Sequence, residues 1–254
     1  MYRPRVIPCL LLRNRGLIKT VKFKEPKYLG DPINIVKIFN DKEVDELIFL
    51  DITCTPDNKE PPYALLADIA SEAFMPFGYG GGIKNLDQIR RVLDLGVEKI
   101  VINSHAIHNP SFITHAADMV GSQSIVVSID VKKNIWGKYE VYTRKGTKAT
   151  GYDPVAYAME MERLGAGELI ISSIDRDGTM KGYDLALIKG VATKVKIPVV
   201  ACGGAGKLDD LAGAVNEGRA SAAGASSMFV FHGPHRAVLI SYPDNHDLKK
   251  LFGS

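Results

Sequence analysis

Short runs of Val, Ile and Leu alternate along the chain with longer stretches in which apolar residues recur at helical spacing. Some apolar runs have no polar interruption, such as Ile48-Phe49-Leu50 and Ile125-Val126-Val127. Uninterrupted runs are typical of strands that are buried on both faces, as in parallel sheets. Residues 155–164 have a helical pattern that ends at Gly165, where a helix C-cap is expected. The pattern predicts alternating parallel strands and helices.

This alternation occurs twice, with a period of about 120 residues. Asp31-Pro32 and Asp153-Pro154 each begin a predicted helix, and Pro76 and Pro198 each lead a predicted strand at the same offset. Such a period is too long for a solenoid unit and suits half of a domain. Since each half contains about four strand–helix units, the chain is expected to form a (β/α)8 TIM barrel from two duplicated half-barrels. An open doubly wound sheet is the structural alternative.

We expect one barrel domain over residues 1–254, with half-barrels at about 1–121 and 122–254. The chain is 46% hydrophobic and 24% charged, which suits an ordinary globular domain with one full core. No apolar run has the length of a membrane span and no signal pattern is found, so we expect a cytoplasmic protein without a membrane partner. The net charge of +3 is too small to indicate nucleic acid.

Neither the cysteines nor the histidines have the spacing of a metal site. Cys9, Cys54 and Cys202 each lie in or at the end of a predicted strand, which favours reduced thiols in the core. His105 and His108 follow a strand and are expected to be surface histidines. We therefore expect no metal and no cofactor.

Glycine-rich turns follow one strand in each half, at equivalent positions. These turns are Gly80-Gly81-Gly82 and Gly203-Gly204-Ala205-Gly206. Glycine lets the backbone approach a ligand closely, and amides at a helix start favour an anion. The next strand of each half ends in small polar residues, Asn103-Ser104 and Ser226-Ser227. The symmetry favours two phosphate sites over two structural turns, and hence a ligand phosphorylated at both ends.

The two halves differ at the end of their first strands. Residues 6–13 align with residues 125–132, which places Asp130 opposite Leu11. A carboxylate after an apolar strand is costly unless it is used, so Asp130 is a candidate acid or base.

Further polar groups follow other strands. Asp51 ends one strand, and residues 172–179 form a polar loop after another. Carboxylates at strand ends that face a pocket are candidate acids or bases. For Arg176 we favour a structural role instead, in which Asp175-Arg176-Asp177 forms an ion pair that caps this loop.

These motifs resemble the cyclase subunit of imidazole glycerol phosphate synthase, the HisF family. The matching segments are Ile-Asp-Arg-Asp-Gly-Thr at 174–179, Gly-Gly-Ala-Gly-Lys at 203–207, Gly-Gly-Gly-Ile at 80–83 and Gly-Ser-Gln-Ser at 121–124, and the resemblance covers residues 3 to about 232. It implies a barrel that joins ammonia to a doubly phosphorylated ribulosyl intermediate, giving imidazole glycerol phosphate and an aminoimidazole carboxamide ribotide. It also implies a HisH-type glutaminase docked on the N-terminal face, with ammonia passing through the barrel.

Carried over by position, the resemblance implies roles for individual residues. Asp130 falls on one of the family's two catalytic aspartates. The charged ring at the ammonia entrance corresponds to Arg5, Glu46, Lys99 and Glu168, and two acids and two bases can neutralise one another around a narrow opening. The implied phosphate and substrate residues are Gly82, Asn103, Ser104, Asp51, Ser172, Asp177, Gly178, Gly203, Gly204, Ser226, Ser227 and Lys19.

Two features depart from the family. Its other catalytic aspartate is expected at position 11, where this chain has Leu11, which cannot move a proton. After Ser227, residues 231–243 predict a turn and a short extended run in place of an amphipathic last helix. Together these features resemble a divergent branch linked to bacterial surface-polysaccharide and lipopolysaccharide genes. There, barrel and glutaminase deliver ammonia for an acetamidino sugar, with a separate ATP-dependent sugar amidotransferase.

Three functions follow from the sequence. The first, which we favour, is this specialised ammonia-conducting subunit; the second is a histidine-pathway cyclase that tolerates Leu11. The third is a non-catalytic scaffold that activates the glutaminase. Leu11 and the altered carboxyl terminus favour the first function over the second, and the intact glycine turns argue against the third.

Overall fold

Eight strands with parallel neighbours close into a barrel in the computed structural model, which describes residues 3–253. The barrel strands are β1 (Arg5–Arg13), β2 (Leu47–Asp51), β3 (Phe77–Gly80), β4 (Lys99–Ile102), β5 (Ile125–Lys133), β6 (Glu168–Ser173), β7 (Val199–Cys202) and β8 (Ala222–Ala225). Each pairs with the next, and β8 pairs with β1 to complete the ring. The predicted TIM barrel is confirmed, and the open sheet is wrong.

Helices connect the strands. They are α1 (Pro32–Asp41), α2 (Tyr63–Glu72), α3 (Leu86–Leu93), α4 (Ser104–His108), α5 (Ser111–Val120), α6 (Pro154–Arg163), α7 (Leu185–Ala192), α8 (Leu208–Asn216), α9 (Ser227–Val230) and α10 (Asn245–Phe252), with a 3₁₀ turn at Ser122–Ser124. Asp31 and Asp153 each accept hydrogen bonds from two backbone amides of the following helix, whose first residue is proline. The repeated Asp-Pro pairs are therefore N-caps. Within residues 3–253, no helix has the length and apolar character needed to cross a bilayer.

Antiparallel hairpins extend β1 and β5, the first strands of the two halves. After β1 come the strands Gly16–Val21 and Lys24–Gly30, and after β5 come Tyr139–Thr143 and Lys148–Ala149. A third hairpin pairs Phe231–His232 with Ala237–Val238. This third hairpin is the predicted turn and extended run, but it precedes a last helix, α10, and does not replace one.

Apolar side chains form two clusters, one inside the barrel and one between strands and helices. On β1, Ile7 and Cys9 belong to the inner cluster, whereas Val6 and Leu10 belong to the outer one. Successive side chains of a strand point to opposite faces, so both faces of β1 are buried. Burial on both faces explains the apolar runs without polar interruption.

The carboxyl-terminal segment is fastened to the N-terminal end of the barrel. The Tyr242 hydroxyl donates to the carbonyl of Val6 at 2.8 Å and lies 3.3 Å from Asp45 Oδ2. Arg3 donates to both oxygens of Asp45, at 2.6 and 2.8 Å. Leu248 of α10 is fully buried. The segment after the third hairpin is therefore part of the domain core.

We expect Leu248→Ala to lower the free energy of unfolding by about 2–5 kcal/mol, because it removes buried methyl groups and leaves a cavity. The matched control is Leu239→Ala, since Leu239 is 53% exposed, and its effect should stay within about 0.5 kcal/mol. Equilibrium unfolding in urea measures both. Equal effects of the two substitutions would contradict the docking of α10.

Candidate functional site

Parallel pairing separates the candidate residues onto the two ends of the barrel. Arg5, Lys99 and Glu168 are the first residues of β1, β4 and β6, and Glu46 immediately precedes β2. The glycine turns and Asp130 lie toward the carboxyl ends of the strands. The barrel therefore has two separate candidate sites with its apolar interior between them.

Four charged side chains form a closed ring at the N-terminal end. The two terminal nitrogens of Arg5 donate to Glu46 and Glu168, one to each. Lys99 Nζ donates to both oxygens of Glu46, at 2.8 and 3.0 Å, and to Glu168 Oε2 at 2.8 Å. Each acid therefore lies between two bases. The structure brings together all four residues that the resemblance had assigned to the ammonia entrance.

The ring compensates a large desolvation cost. The side chains of Glu46 and Glu168 are only 3% and 4% exposed, and buried carboxylates are stable only when paired. Burial alone would lower the pKa of Arg5, but hydrogen bonding and attraction to Glu168 and Glu46 outweigh it and raise that pKa. Loss of one member would leave the others uncompensated.

Apolar residues continue inward from each member of the ring. Two residues beyond Arg5, Glu46, Lys99 and Glu168 stand Ile7, Ile48, Val101 and Ile170, all in the inner cluster. Because side chains alternate along a strand, each of these residues lies on the same face as its charged neighbour. The barrel interior behind the ring is thus lined by hydrocarbon.

The first candidate phosphate site comprises Gly82, Asn103 and Ser104. Gly82 has a φ of +71°, and a Cβ there would lie 2.8 Å from Cys54 Cβ. Ser104 Oγ accepts a hydrogen bond from Thr143 Oγ1 at 2.8 Å. Thr143 belongs to the hairpin after β5, so that hairpin closes over the site with a neutral side chain.

The second candidate phosphate site comprises Gly178, Gly203, Gly204, Ser226 and Ser227. A Cβ on Gly204 would lie 2.2 Å from the carbonyl oxygen of Gly182, and one on Gly178 would lie 2.3 Å from that of Thr20. The hydroxyl of Ser226 is buried, and nothing in the described part of the chain hydrogen-bonds to it. The site therefore combines tightly packed backbone with a hydroxyl that can still form a hydrogen bond.

Asp130 lies between these two sites, on the wall of the mouth. Asn103 Nδ2 donates to its Oδ2 at 2.9 Å. Burial raises the pKa of Asp130 to about 7; the Asn103 hydrogen bond opposes this shift and the charge of Asp177 adds to it. A carboxyl group with this pKa can accept or donate a proton near neutral pH.

Leu11 occupies the equivalent position in the other half. Its pairing partner on β2 is Leu50, whereas the partner of Asp130 on β6 is Ser172. One wall of the mouth is therefore polar and the other is apolar. Within this pair of strands, Leu11 and Leu50 offer no group that can transfer a proton.

Asp51 and Asp177 are occupied by structural contacts. Asp51 Oδ1 accepts from the amide of Thr53 at 2.7 Å, from its hydroxyl at 2.5 Å and from the amide of Cys54 at 3.1 Å. Asp177 accepts from Lys19 Nζ at 2.7 Å, and Lys19 is 4% exposed. The Lys19–Asp177 ion pair fastens the hairpin after β1 to the loop after β6.

The prediction of an ion pair within Asp175-Arg176-Asp177 is wrong. No salt bridge within residues 3–253 joins Arg176 to either neighbour; Arg176 donates to the carbonyl of Lys181 at 3.2 Å. Asp177 binds Lys19 instead, and Asp175 accepts from the amide of Lys133. Consecutive side chains of this turn point to different neighbours.

His108 is exposed, as expected, whereas His105 is half-buried. The ring of His105 packs edge-on against Phe112, with ring centres 4.6 Å apart, and burial lowers its pKa. All three cysteines are free, and residues 3–253 contain no cluster of potential metal ligands.

Sequence reasoning missed Arg236, which the third hairpin brings to the second candidate phosphate site. Arg236 Nη1 donates to the carbonyl of Gly178 at 3.1 Å, and Nη2 lies 3.4 Å from Ser227 Oγ. The guanidinium also stacks on Phe231 at 4.6 Å. The sequence signal was a basic residue two positions after Gly233-Pro234.

Comparison with known proteins agrees with this geometry. A model of the family described as histidine biosynthesis protein matches residues 5–233. Two relatives are provisionally named imidazole glycerol phosphate synthase subunits: hisF2 of Pseudomonas aeruginosa, 54% identical over 98% of this chain and 99% of its own, and hisF3 of Vibrio vulnificus, 50% identical over 98% and 96%. Imidazole glycerol phosphate synthase subunit HisF of Alkaliphilus metalliredigens is 42% identical over 91% and 92%. The closed barrel and these full-length similarities show that the chain belongs to the HisF family of histidine biosynthesis proteins.

Proposed function

We propose that this chain is the ammonia-conducting subunit of a glutamine-dependent complex, and that its nitrogen serves synthesis of an acetamidino sugar for a surface polysaccharide. A HisH-type glutaminase docks on the face that carries the charged ring. The observation that carries the proposal is the contrast between the two ends of the barrel. The ring at the entrance is complete, whereas the mouth has Asp130 on one wall and Leu11 on the other.

The lining of the barrel supports transport of neutral ammonia. Ile7, Ile48, Val101 and Ile170 form a hydrocarbon layer directly behind the ring. An ammonium ion would lose its hydration there without compensation, whereas neutral ammonia loses much less. The two bases are less enclosed than the two acids: Arg5 is 33% exposed and Lys99 19%, against 3% and 4% for the glutamates. Movement of a base would therefore open the entrance at a smaller desolvation cost than movement of a glutamate.

The mouth supports a reduced cyclase activity. By resemblance to the family, cyclisation uses two carboxylates, one to donate a proton and one to accept it. Asp130, with a pKa of about 7, can perform one of these roles. Leu11 and Leu50 supply no second group, so we propose that ammonia leaves the mouth for another acceptor.

The acceptor is proposed to be a nucleotide-linked sugar that a separate ATP-dependent amidotransferase presents in the cytoplasm. The two candidate phosphate sites support a phosphorylated ligand, and for the same reason they argue against a pure scaffold. A histidine-pathway cyclase is the second candidate, because Asp130 and both glycine sites are present and one relative 42% identical is named HisF.

We expect Lys99→Ala to reduce transfer of glutamine-derived nitrogen at least tenfold, because Glu46 and Glu168 would then share Arg5 alone. Breaking a fully buried ion pair costs about 3–5 kcal/mol. The free energy of unfolding should fall by less than this in Lys99→Ala, since the Lys99 side chain is 19% exposed. Glutamine labelled with ¹⁵N in the amide, supplied to the complex with glutaminase, measures the transfer. The control is Lys194→Ala, an exposed lysine before β7. Equal transfer by both variants would argue against an ammonia route through the ring.

Cyclase turnover with free ammonia should be at least about a hundredfold below that of an enzyme with two aspartates, the usual effect of losing a general acid or base. Leu11→Asp should raise it, because Asp130 and both candidate phosphate sites are already in place. The matched control is Leu50→Asp, which adds a carboxylate to the paired strand and should give no gain. The assay is formation of imidazole glycerol phosphate. Ordinary enzymatic rates in the unmodified protein would instead establish the histidine-pathway cyclase.

Asp130 should also make stability depend on pH. Its pKa is raised from 3.8 to about 7, so the folded protein holds the proton more tightly than the unfolded chain. This contribution to stability is complete below about pH 4 and is lost as the pH rises to about 7. Asp130→Asn should therefore stabilise the protein more at pH 8 than at pH 4, by roughly 1–4 kcal/mol. Urea unfolding from pH 4 to pH 8 measures this stabilisation, with Asp87→Asn, at an exposed position, as the control. If Asp130→Asn changes the free energy of unfolding by the same amount at every pH, the pKa of Asp130 is not raised.

A further inference from the structure

The third hairpin holds Arg236 in a fixed backbone conformation. Its turn is closed by a hydrogen bond from the Arg236 amide to the Gly233 carbonyl at 3.1 Å. Arg236 has a φ of +51° and Gly233 a φ of +70°. A non-glycine residue with positive φ is uncommon and is held there by its surroundings. The position of this arginine is therefore determined by the fold.

Contacts with other elements also fix the position of Arg236. Lys27, in the hairpin after β1, donates to the Arg236 carbonyl at 2.7 Å. Lys27 Nζ also lies 5.1 Å from the ring centre of Phe231, on which the Arg236 guanidinium stacks. The arginine is thus pre-organised, and binding an anion would cost it little conformational entropy.

The guanidinium has hydrogen-bonding capacity left. An arginine carries five N–H donors, and its contacts with Gly178 and Ser227 use two of them. The remaining donors have the planar arrangement that matches two oxygens of a phosphoryl group. Ser226, whose buried hydroxyl has no hydrogen-bond partner among the described residues, directly precedes Ser227 in the chain.

The two candidate phosphate sites differ in the side chains that contact them. At the first, the neutral hydroxyl of Thr143 donates to Ser104, and Lys84, two residues after Gly82, donates to Asn58 Oδ1. At the second, the cation of Arg236 contacts Gly178 and Ser227. Lys19 also lies near the second site, but its charge is neutralised by Asp177 at 2.7 Å. Arg236 is thus a cation without a carboxylate partner among residues 3–253.

We propose that Arg236 is a specificity-determining residue that binds the anionic group held at the second candidate phosphate site. The added charge makes this site prefer a diphosphate over a monophosphate. This inference rests on the proposed phosphorylated substrate and narrows it to a compound with a diphosphate at one end. A nucleotide-linked sugar has that group.

The test titrates the protein with inorganic pyrophosphate and inorganic phosphate while two-dimensional ¹H–¹⁵N NMR follows individual amides. Gly204 and Ser227 report on the second site, and Gly82 and Ser104 on the first. In the unmodified protein we expect tighter pyrophosphate binding at the second site. Arg236→Gln should weaken it at least tenfold and abolish the preference over phosphate, because charge-assisted hydrogen bonds are the strong ones. The first site serves as an internal control.

Two further variants separate charge from structure. Arg236→Lys keeps the charge but loses the planar donors, so its pyrophosphate affinity should lie between those of the unmodified protein and Arg236→Gln. His235→Gln changes an exposed residue of the same turn and should alter neither site. Equal affinities for Arg236→Lys and Arg236→Gln would overturn the proposal, as would a change below threefold in Arg236→Gln.

The outcome is independent of the ammonia experiment. Loss of pyrophosphate preference in Arg236→Gln, together with unchanged nitrogen transfer in Lys99→Ala, would refute the ammonia route and retain the role of Arg236. The opposite pair of results would refute the role of Arg236 alone.

Discussion

Hydrogen bonding between the first and last strands closes the barrel, and the arrangement of both candidate sites depends on it. Residues Arg5 to Pro8 of β1 pair with Ala222 to Ala225 of β8, whereas the following residues of β1 pair with β2. Pro8, which has no amide proton, lies where β1 changes partner. The small side chains of β8 permit a close approach, since a Cβ on Gly224 would lie 3.0 Å from Cys9 Sγ. Because all eight pairs are parallel, the ring members meet at one end and Asp130 lies toward the other.

Features encoded by neighbouring residues could be predicted from the sequence. The apolar runs identified barrel strands because both faces of those strands are buried, and the Asp-Pro pairs identified helix starts because the capping interactions are local. The hairpin after β1 was not predicted, because five of the seven residues of Lys24–Gly30 are exposed and carry no alternating pattern. Its place is set by pairing with Gly16–Val21 and by the Lys19–Asp177 contact, whose partners are 158 residues apart.

In the candidate site, too, some features could be predicted from the sequence and others could not. Glycine turns and polar strand ends are visible in the sequence because barrel topology brings every strand end to one mouth. The partner of each charge is not visible, since it depends on which loops cross. Asp177 was placed beside Arg176 in sequence but binds Lys19 in space, and Arg236 reaches Gly178 from a hairpin 58 residues further along the chain. Long-range polar pairs of this kind leave no periodic pattern for sequence reasoning to use.

The proposed function requires that ammonia transport is kept while cyclase chemistry is lost, and the energetics of the two ends of the barrel are compatible with it. Leu11 lies beside Leu50 and adds apolar contact. A leucine in place of a carboxylate at this position removes a desolvation cost at the mouth. Such an exchange would favour stability at the expense of proton transfer. The ring behaves in the opposite way, since Glu46 and Glu168 are buried and each contacts both bases. Removing any one member leaves charge uncompensated, so the entrance resists stepwise change whereas the mouth does not.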